Sequence, residues 1–370
     1  MKSVKKLVLV GLVLLASVMV LLPLVGCKSE VDPEVKEPPY LTFKADSEQT
    51  LTMKIQYEFT LHKSLQYSVG GGEWKQLQAE TAISFGGAVG DLRMRGKSAG
   101  GTSNLLQNAW TYISFGNSEV KVACTGDIRT LVDYESYSTA DTSVAVFVGL
   151  FSGCTSLTSA PDLPAESLAP YCYYYMFKGC TSLTSAPALP AETLAEYCYW
   201  GMFFGCTSLI SAPALPAETL AWKCYSSMFS GCTSLTSAPA LPAETLAEGC
   251  YYYMFKGCTS LTSAPALPVE TLAEDCYSGM FEGCTSLTSA PALPAETLAE
   301  RCYDEMFRGC TSLTSVTMLA TDISAYNCLQ GWLDSVSETG TFTKAAAMNE
   351  ETLKGYIPSG WTVQNYVPQQ

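Results

Sequence analysis

The sequence predicts an α/β solenoid of 26-residue units, each a short strand plus a short helix, preceded by a small all-β sandwich-like domain. Three observations carry that prediction. Gly-Cys-Thr-Ser-Leu recurs seven times between Gly153 and Leu313, each copy starting 26 residues after the last. A period in the twenties with leucines at fixed offsets marks one supersecondary unit stacked on copies of itself. Residues 40–128 lack this period and alternate apolar with polar residues in short runs, as half-buried strands do. Within each unit a Pro-rich half too short for a helix precedes a half whose apolar residues fall four apart.

Residues 1–26 read as a targeting segment. Lys2, Lys5 and Lys6 form a basic start, and Leu7 to Leu24 is almost unbroken aliphatic sequence. A run of about 18 apolar residues is just long enough to span a bilayer. It ends, however, in Leu24-Val25-Gly26-Cys27, which resembles the lipobox of bacterial lipoproteins. The expectation is cleavage before Cys27, acylation of that cysteine and no transmembrane helix in the mature chain. Residues 1–26 hold three lysines and no acid, so their removal takes the net charge from −14 to −17. So acidic a chain lacks the Lys/Arg surface that nucleic acid requires. Residues 27–39, charged and Pro-rich, read as a solvated tether. The acids just behind Cys27 resemble the surface-export signal of Bacteroidetes lipoproteins, which places the chain, lipid-anchored, on the outer membrane facing outward.

In residues 40–128, seven runs read as strands: Tyr40 to Phe43, Leu51 to Ile55, Leu65 to Val69, Ala82 to Phe85, Leu92 to Arg95, Tyr112 to Phe115 and Val120 to Ala123. Several short strands at near-regular spacing suggest a sandwich of immunoglobulin-like size. Gly70-Gly71-Gly72 reads as a glycine hairpin under Trp74. Residues 129–338 form the repeats. In the unit from Leu183 to Cys206, Leu183 to Pro190 predicts a brief strand and turn, with Pro187 and Pro190 at the strand's end. Leu194, Cys198 and Met202, with Ala195, Tyr199 and Phe203 beside them, predict one helical face opened by Pro190 and closed by Gly205. Both terminal units deviate as caps do: Val146 and Leu150, ahead of the retained Phe151, in the first, and Thr317, Ala320, Leu329, Trp332 and Leu333 in the last. Residues 339–370 are expected to cover the open end.

These units carry a resemblance. Leu-x-x-Ala-Pro-x-Leu-Pro followed by Met-Phe-x-Gly-Cys-Thr-Ser-Leu is similar to the BspA-type leucine-rich repeat of surface lipoproteins from Bacteroides and related bacteria. Leu-Pro and Met-Phe stand where Ile-Pro and Ala-Phe are more usual, and the unit is a few residues longer. The resemblance covers residues 129–338 and implies a leucine-rich repeat fold and non-catalytic, cell-surface adhesion to host or bacterial proteins, glycans or other cells. Glycan capture for nutrient uptake, or a structural envelope role, are the alternatives. It supplies no ligand-binding residues.

Fourteen of the sixteen cysteines obey the repeat, in one series from Cys154 to Cys310 and another from Cys172 to Cys328. Equivalent residues of stacked units lie about 4.8 Å apart, but their side chains point the same way. Columns of small buried thiols therefore account for the spacing better than disulfides, and alternation without CxxC or His argues against zinc. The sole histidine, His62, falls in a strand-like stretch and has no partner for a catalytic pair. Glu166, Glu192, Glu218, Glu244, Glu270 and Glu296 recur after Pro-Ala or Pro-Val. They read as first-turn helix residues rather than as a calcium ladder, since no Asp/Gly-rich loop accompanies them. No catalytic residue, metal site or cofactor is expected. Five slots per unit vary, and the earlier units fill them with Tyr171, Tyr174, Tyr175, Tyr197, Trp200, Phe204, Trp222, Tyr252 and Tyr253. Tyr and Trp grouped on one side are the usual composition of a binding surface, although packing of the rings between neighbouring units is the plainer alternative.

Overall fold

Each of the seven alternating runs overlaps a strand, the last of them, Val120 to Ala123, only by its final two residues. In chain order these are β1 (Leu41–Lys44), β2 (Gln49–Gln56), β3 (Gln66–Val69), the short β4 (Lys75–Gln76), β5 (Ala82–Phe85), β6 (Leu92–Arg95), the short β7 (Ser103–Asn104), β8 (Ala109–Phe115) and β9 (Val122–Thr125). The computed structural model describes residues 37–57, 59–104 and 109–368. The leader, Cys27 and nearly all of the tether lie outside those residues.

Two sheets form. One runs β4-β3-β6-β1-β9 and continues to β10 (Leu157–Ser159); the other runs β5-β2-β8-β7. Alternation buries Leu41 and Phe43 of the first sheet and Leu51 and Met53 of the second in one core. The rings of Phe43 and Phe115 meet across it at 6.1 Å. Outside, the Arg95 guanidinium lies between the rings of Trp74 and Tyr134, 4.1 and 4.2 Å from their centroids. His62 sits just ahead of a turn rather than in a strand, its Nδ1 2.7 Å from the Ser64 hydroxyl. The sheet does not stop where the repeats begin: β10, the strand of the first repeat unit, pairs in parallel with β9. The Cys154 thiol of that unit donates to the Ile113 carbonyl of β8. The sandwich thus closes the N-terminal end of the repeats with paired backbone and a shared core.

Among the described residues the repeats contain no α-helix, only two short 3-10 turns at Ile128–Leu131 and Tyr137–Thr139 ahead of the first Gly-Cys-Thr-Ser-Leu, which corrects the expectation. From Tyr197 to Cys206 the backbone amides alternate. Those of Cys198, Trp200, Met202, Phe204 and Cys206 close turns onto the carbonyl three residues back. Those of Tyr197, Tyr199, Gly201, Phe203 and Gly205 point outward to carbonyls 25 residues on, in the next unit. Every fourth residue is left-handed, with φ of 56° at Tyr197, 56° at Gly201 and 70° at Gly205. An α-helix needs uninterrupted right-handed residues and keeps its amides to itself. Here each left-handed residue redirects the chain, and half of the amides are released to hold the neighbour. The six repeat glutamates accordingly occupy no helical first turn. They lie exposed beside a column of single parallel bridges joining Ser167, Thr193, Thr219 and Thr245.

The Pro-rich halves are also less regular than expected. Ser185, Ser211 and Ser237 make only single parallel bridges, because the proline two residues on offers no N–H. Where Thr317 replaces that proline, strand β12 (Ser315–Met318) forms and pairs with β11 (Ser289–Leu293) and β13 (Gly340–Lys344). Strand β14 (Trp361–Asn365) extends the sheet, and the Trp332 ring covers Phe307 at the open end.

Between these ends the buried side chains form columns. Phe147 heads a tyrosine ladder through Tyr173, Tyr199, Tyr225, Tyr251, Tyr277 and Tyr303, and Phe151 heads a phenylalanine ladder to Phe307. Successive rings stack nearly parallel, as at Tyr199 and Tyr225 (5.7 Å, 5°). All fifteen described cysteines are free and buried. Those after the repeat glycine have a specific job: the thiols of Cys180, Cys206, Cys232, Cys258 and Cys284 each donate, at 3.1 Å, to the phenylalanine carbonyl 29 residues earlier.

Candidate binding face

The left-handed positions decide where the variable side chains go. Tyr171, Tyr197, Lys223, Asp275 and Arg301 occupy one left-handed column, and Tyr175, Ser227, Tyr253 and Glu305 occupy a second. A side chain in such a position leans over the following unit. The Tyr175 ring fills the space above Gly201, the Tyr253 ring that above Gly279, and the Lys223 stem that above Gly249. At these three places residues that vary along the sequence are matched, a large side chain beside a glycine.

Seven of the nine sequence-predicted aromatics join one network. Tyr171 stacks on Tyr197 at 4.6 Å and Tyr197 on Trp200 at 4.9 Å. Trp222 meets Tyr197 edge-on at 4.8 Å. Tyr174 touches Tyr171, Tyr175 and Trp200, and Tyr175 reaches Phe204. Both readings of these rings thus apply in part: most are half-buried against each other, while Phe204 and Trp222 keep 38% and 37% of their surface exposed. Tyr252 and Tyr253 form a separate pair at 4.1 Å. Burial raises the Tyr174 hydroxyl above the ordinary tyrosine range, reinforced by the neighbouring Tyr175, so it stays protonated as a donor.

Cations sit on this face. Lys178 Nζ lies 4.4 Å from the centre of the Tyr175 ring and 5.6 Å from that of Phe204. Lys223 Nζ lies 5.4 Å from Trp222 and 5.9 Å from Trp200. Towards the C-terminal end the variable slots turn acidic and pair internally. There Lys256 bonds Glu282, Arg301 bonds Glu274 and Asp275, and Arg308 bonds Glu305.

At the N-terminal edge of the network the sandwich and the first units enclose a recess of about 430 Å³. Trp110 of β8 borders it together with Val148, Gly149, Ser152, Tyr171, Tyr174, Tyr175 and Lys178. Trp110 is the residue the sequence did not single out. It lies outside the 26-residue period, and only its outward phase in an alternating strand marks it. Tyr57 packs edge-on against it at 5.8 Å.

Burial pushes the Cys206, Cys224 and Cys310 thiols up to about 12, far from the thiolate a nucleophile needs. Among the described residues no group of His, Cys, Asp and Glu is arranged to hold a metal ion.

Stacked 26-residue units with buried thiols and an aromatic side face define a repeat protein built to present a surface. The sequence pattern of the BspA type leucine-rich repeat region matches residues 135–245 and 225–343 with six copies, over half the chain, and the chain belongs to that family. No curated protein and no solved structure matches the chain.

Proposed function

We propose that this chain is a non-catalytic binding protein, held to the outer membrane through an acylated Cys27, that offers the Tyr171–Trp222 face to a protein or glycan on another surface. The observation that carries this reading is the contiguous outward network of seven rings. Aromatic rings supply large contact area at low entropic cost, and interface hot spots are rich in them. Repeats of this family are interaction modules, and the tether of residues 27–39 would hold the face clear of the lipid. The direct test is adhesion of the full chain to immobilised host matrix and to bacterial cells, with Tyr197→Ala, Trp200→Ala and Trp222→Ala combined. Binding should fall by at least about tenfold, since truncating even one hot-spot residue removes about 2 kcal/mol. Undiminished binding by a triple variant with an unchanged unfolding midpoint would refute the assignment of this face. The anchor is tested separately: Cys27→Ala should abolish palmitate labelling, and protease added to intact cells should remove the repeats.

A further inference from the structure

The two ammonium groups on the aromatic face differ from every other cation of the repeats. Lys178, Lys256 and Arg308 occupy the same slot, between the repeat phenylalanine and its glycine. Lys256 finds Glu282 at 2.7 Å, 26 residues on in the next unit, and Arg308 pairs with Glu305. The residue 26 after Lys178 is Phe204, and the residue 26 after Lys223 is Gly249. Among the described residues neither Lys178 nor Lys223 pairs with a carboxylate; each has only ring faces for company. In a chain of net charge −14 with 35 acids, two cations on one aromatic face without a carboxylate partner are a specific feature.

We infer that the recess between the sandwich and the first repeat units is a subsite for an acidic pyranoside, a sugar ring bearing a carboxylate, with Trp110 as one wall and Lys178 as partner of the carboxylate. The inference rests on the binding role proposed above and names its ligand class. Geometry favours a sugar over an acidic peptide. The recess is lined by aromatic residues from different parts of the chain, Trp110 of β8 and Tyr171, Tyr174 and Tyr175 of the first units. Its volume of about 430 Å³ is that of a small-ligand site rather than a peptide groove. A pyranose ring has apolar C–H faces to lie on the rings and hydroxyls around its edge for the polar tips. Ser152, the hydroxyls of Tyr171, Tyr174 and Tyr175 and the Trp110 indole N–H are the uncharged polar groups of the lining residues. Lys178 borders the recess as well, so a carboxylate on a sugar ring bound there meets an exposed ammonium that no protein carboxylate neutralises.

The test uses the full chain in detergent and three probes: glucuronate oligosaccharides, the same oligosaccharides with their carboxyl groups reduced to alcohols, and poly-glutamate. Acidic oligosaccharides should bind at least about tenfold more tightly than the reduced ones, since a hydrogen bond to a charged group contributes about 1.5–3 kcal/mol. That margin should shrink with added salt. Lys178→Gln should remove the margin without changing affinity for the reduced oligosaccharide, and Trp110→Ala should weaken both while Trp110→Phe retains most of the binding. Lys354→Gln, exposed near the C-terminus, should change nothing. Equal affinity for acidic and reduced sugars, or tighter binding of poly-glutamate, would overturn the inference. If no oligosaccharide binds while adhesion still depends on Tyr197, Trp200 and Trp222, the acidic-sugar subsite falls and the binding face stands.

Discussion

The Cys232 sulfur shows what a repeated residue contributes beyond volume. It packs fully buried in its column and donates 3.1 Å back to the Phe203 carbonyl, an acceptor already bonded to the Cys206 amide. Cys232→Ala removes both the fill and the donor, and should lower stability by about 1–3 kcal/mol in urea unfolding. The column itself was legible as a 26-residue recurrence. The bond was not, because it spans 29 residues and runs from side chain to backbone, which a pattern of residue types does not record. The same burial gives a pH dependence of definite sign. Desolvation lifts Cys206 and Cys224 from an ordinary value of 9.0 to about 12 and raises the other repeat thiols too. Above pH 9.0 the unfolded chain therefore sheds protons that the folded chain retains. The stabilisation is complete below that pH and is lost progressively as pH rises towards 12, by up to about 1.4 kcal/mol per pH unit for each thiol. The urea midpoint should hold from pH 7 to 8.5 and drop steeply by pH 10; a flat profile would mean that these thiols are not buried in solution.

At the scale of one unit, the four-residue spacing of Leu194, Cys198 and Met202 serves a spiral of turns as well as it serves a helix. Over two turns a period of 4 and a period of 3.6 differ by less than one residue, so the spacing alone does not separate them. The left-handed glycines were the stronger clue: Gly201 and Gly205 are four apart, and Gly249, Gly257, Gly279 and Gly283 repeat that phase in other units. That phase predicts the direction of two substitutions. Ser227 holds φ 55° and its hydroxyl bonds to none of the described residues, so Ser227→Gly should raise stability by about 0.5–1 kcal/mol despite the freer unfolded chain. Gly201→Ala should do the reverse by about 1–2 kcal/mol, since it strains the same backbone conformation and its methyl meets the Tyr175 ring. Gly201→Ala also bears on the site, because a displaced Tyr175 carries Lys178 with it. A loss of acidic-sugar affinity there, with adhesion through Trp222 retained, would report that displacement. Helix content in circular dichroism should be near zero, which checks the element itself.

On the scale of the whole molecule, the sandwich, the stacked units and β13–β14 are one cooperative body, because each surface left open by one part is closed by the next. Period and caps announced this arrangement in the sequence, as did all seven rings of the network, which recur in the variable slots of adjacent units. Trp110 was not announced. It reaches the site only because β9 pairs with β10 and sets the sandwich beside the first units, a contact between segments that share no period. Stacking also implies that an interior unit is exchangeable if the phase is kept. Deleting residues 232–257, which are 26 in number, joins Gly231 to Cys258 and puts Glu274 where Glu248 accepts the Trp222 indole N–H. It also sets Lys223 beside Asp275 and Ser227 beside Gly279, both compatible neighbours. The shortened chain should fold in a single transition at a lower midpoint, having lost one unit and one interface. Its affinity at the Trp110–Lys178 recess, two units away, should stay within about twofold. Deleting 232–256 instead shifts the chain by one residue and sets turn-closing amides against those that hold the next unit. That variant should fail to give a cooperative transition, although it differs from the first by a single glycine. If both deletions behave alike, the amide alternation does not hold the units together, and the ring and cysteine columns must do so alone.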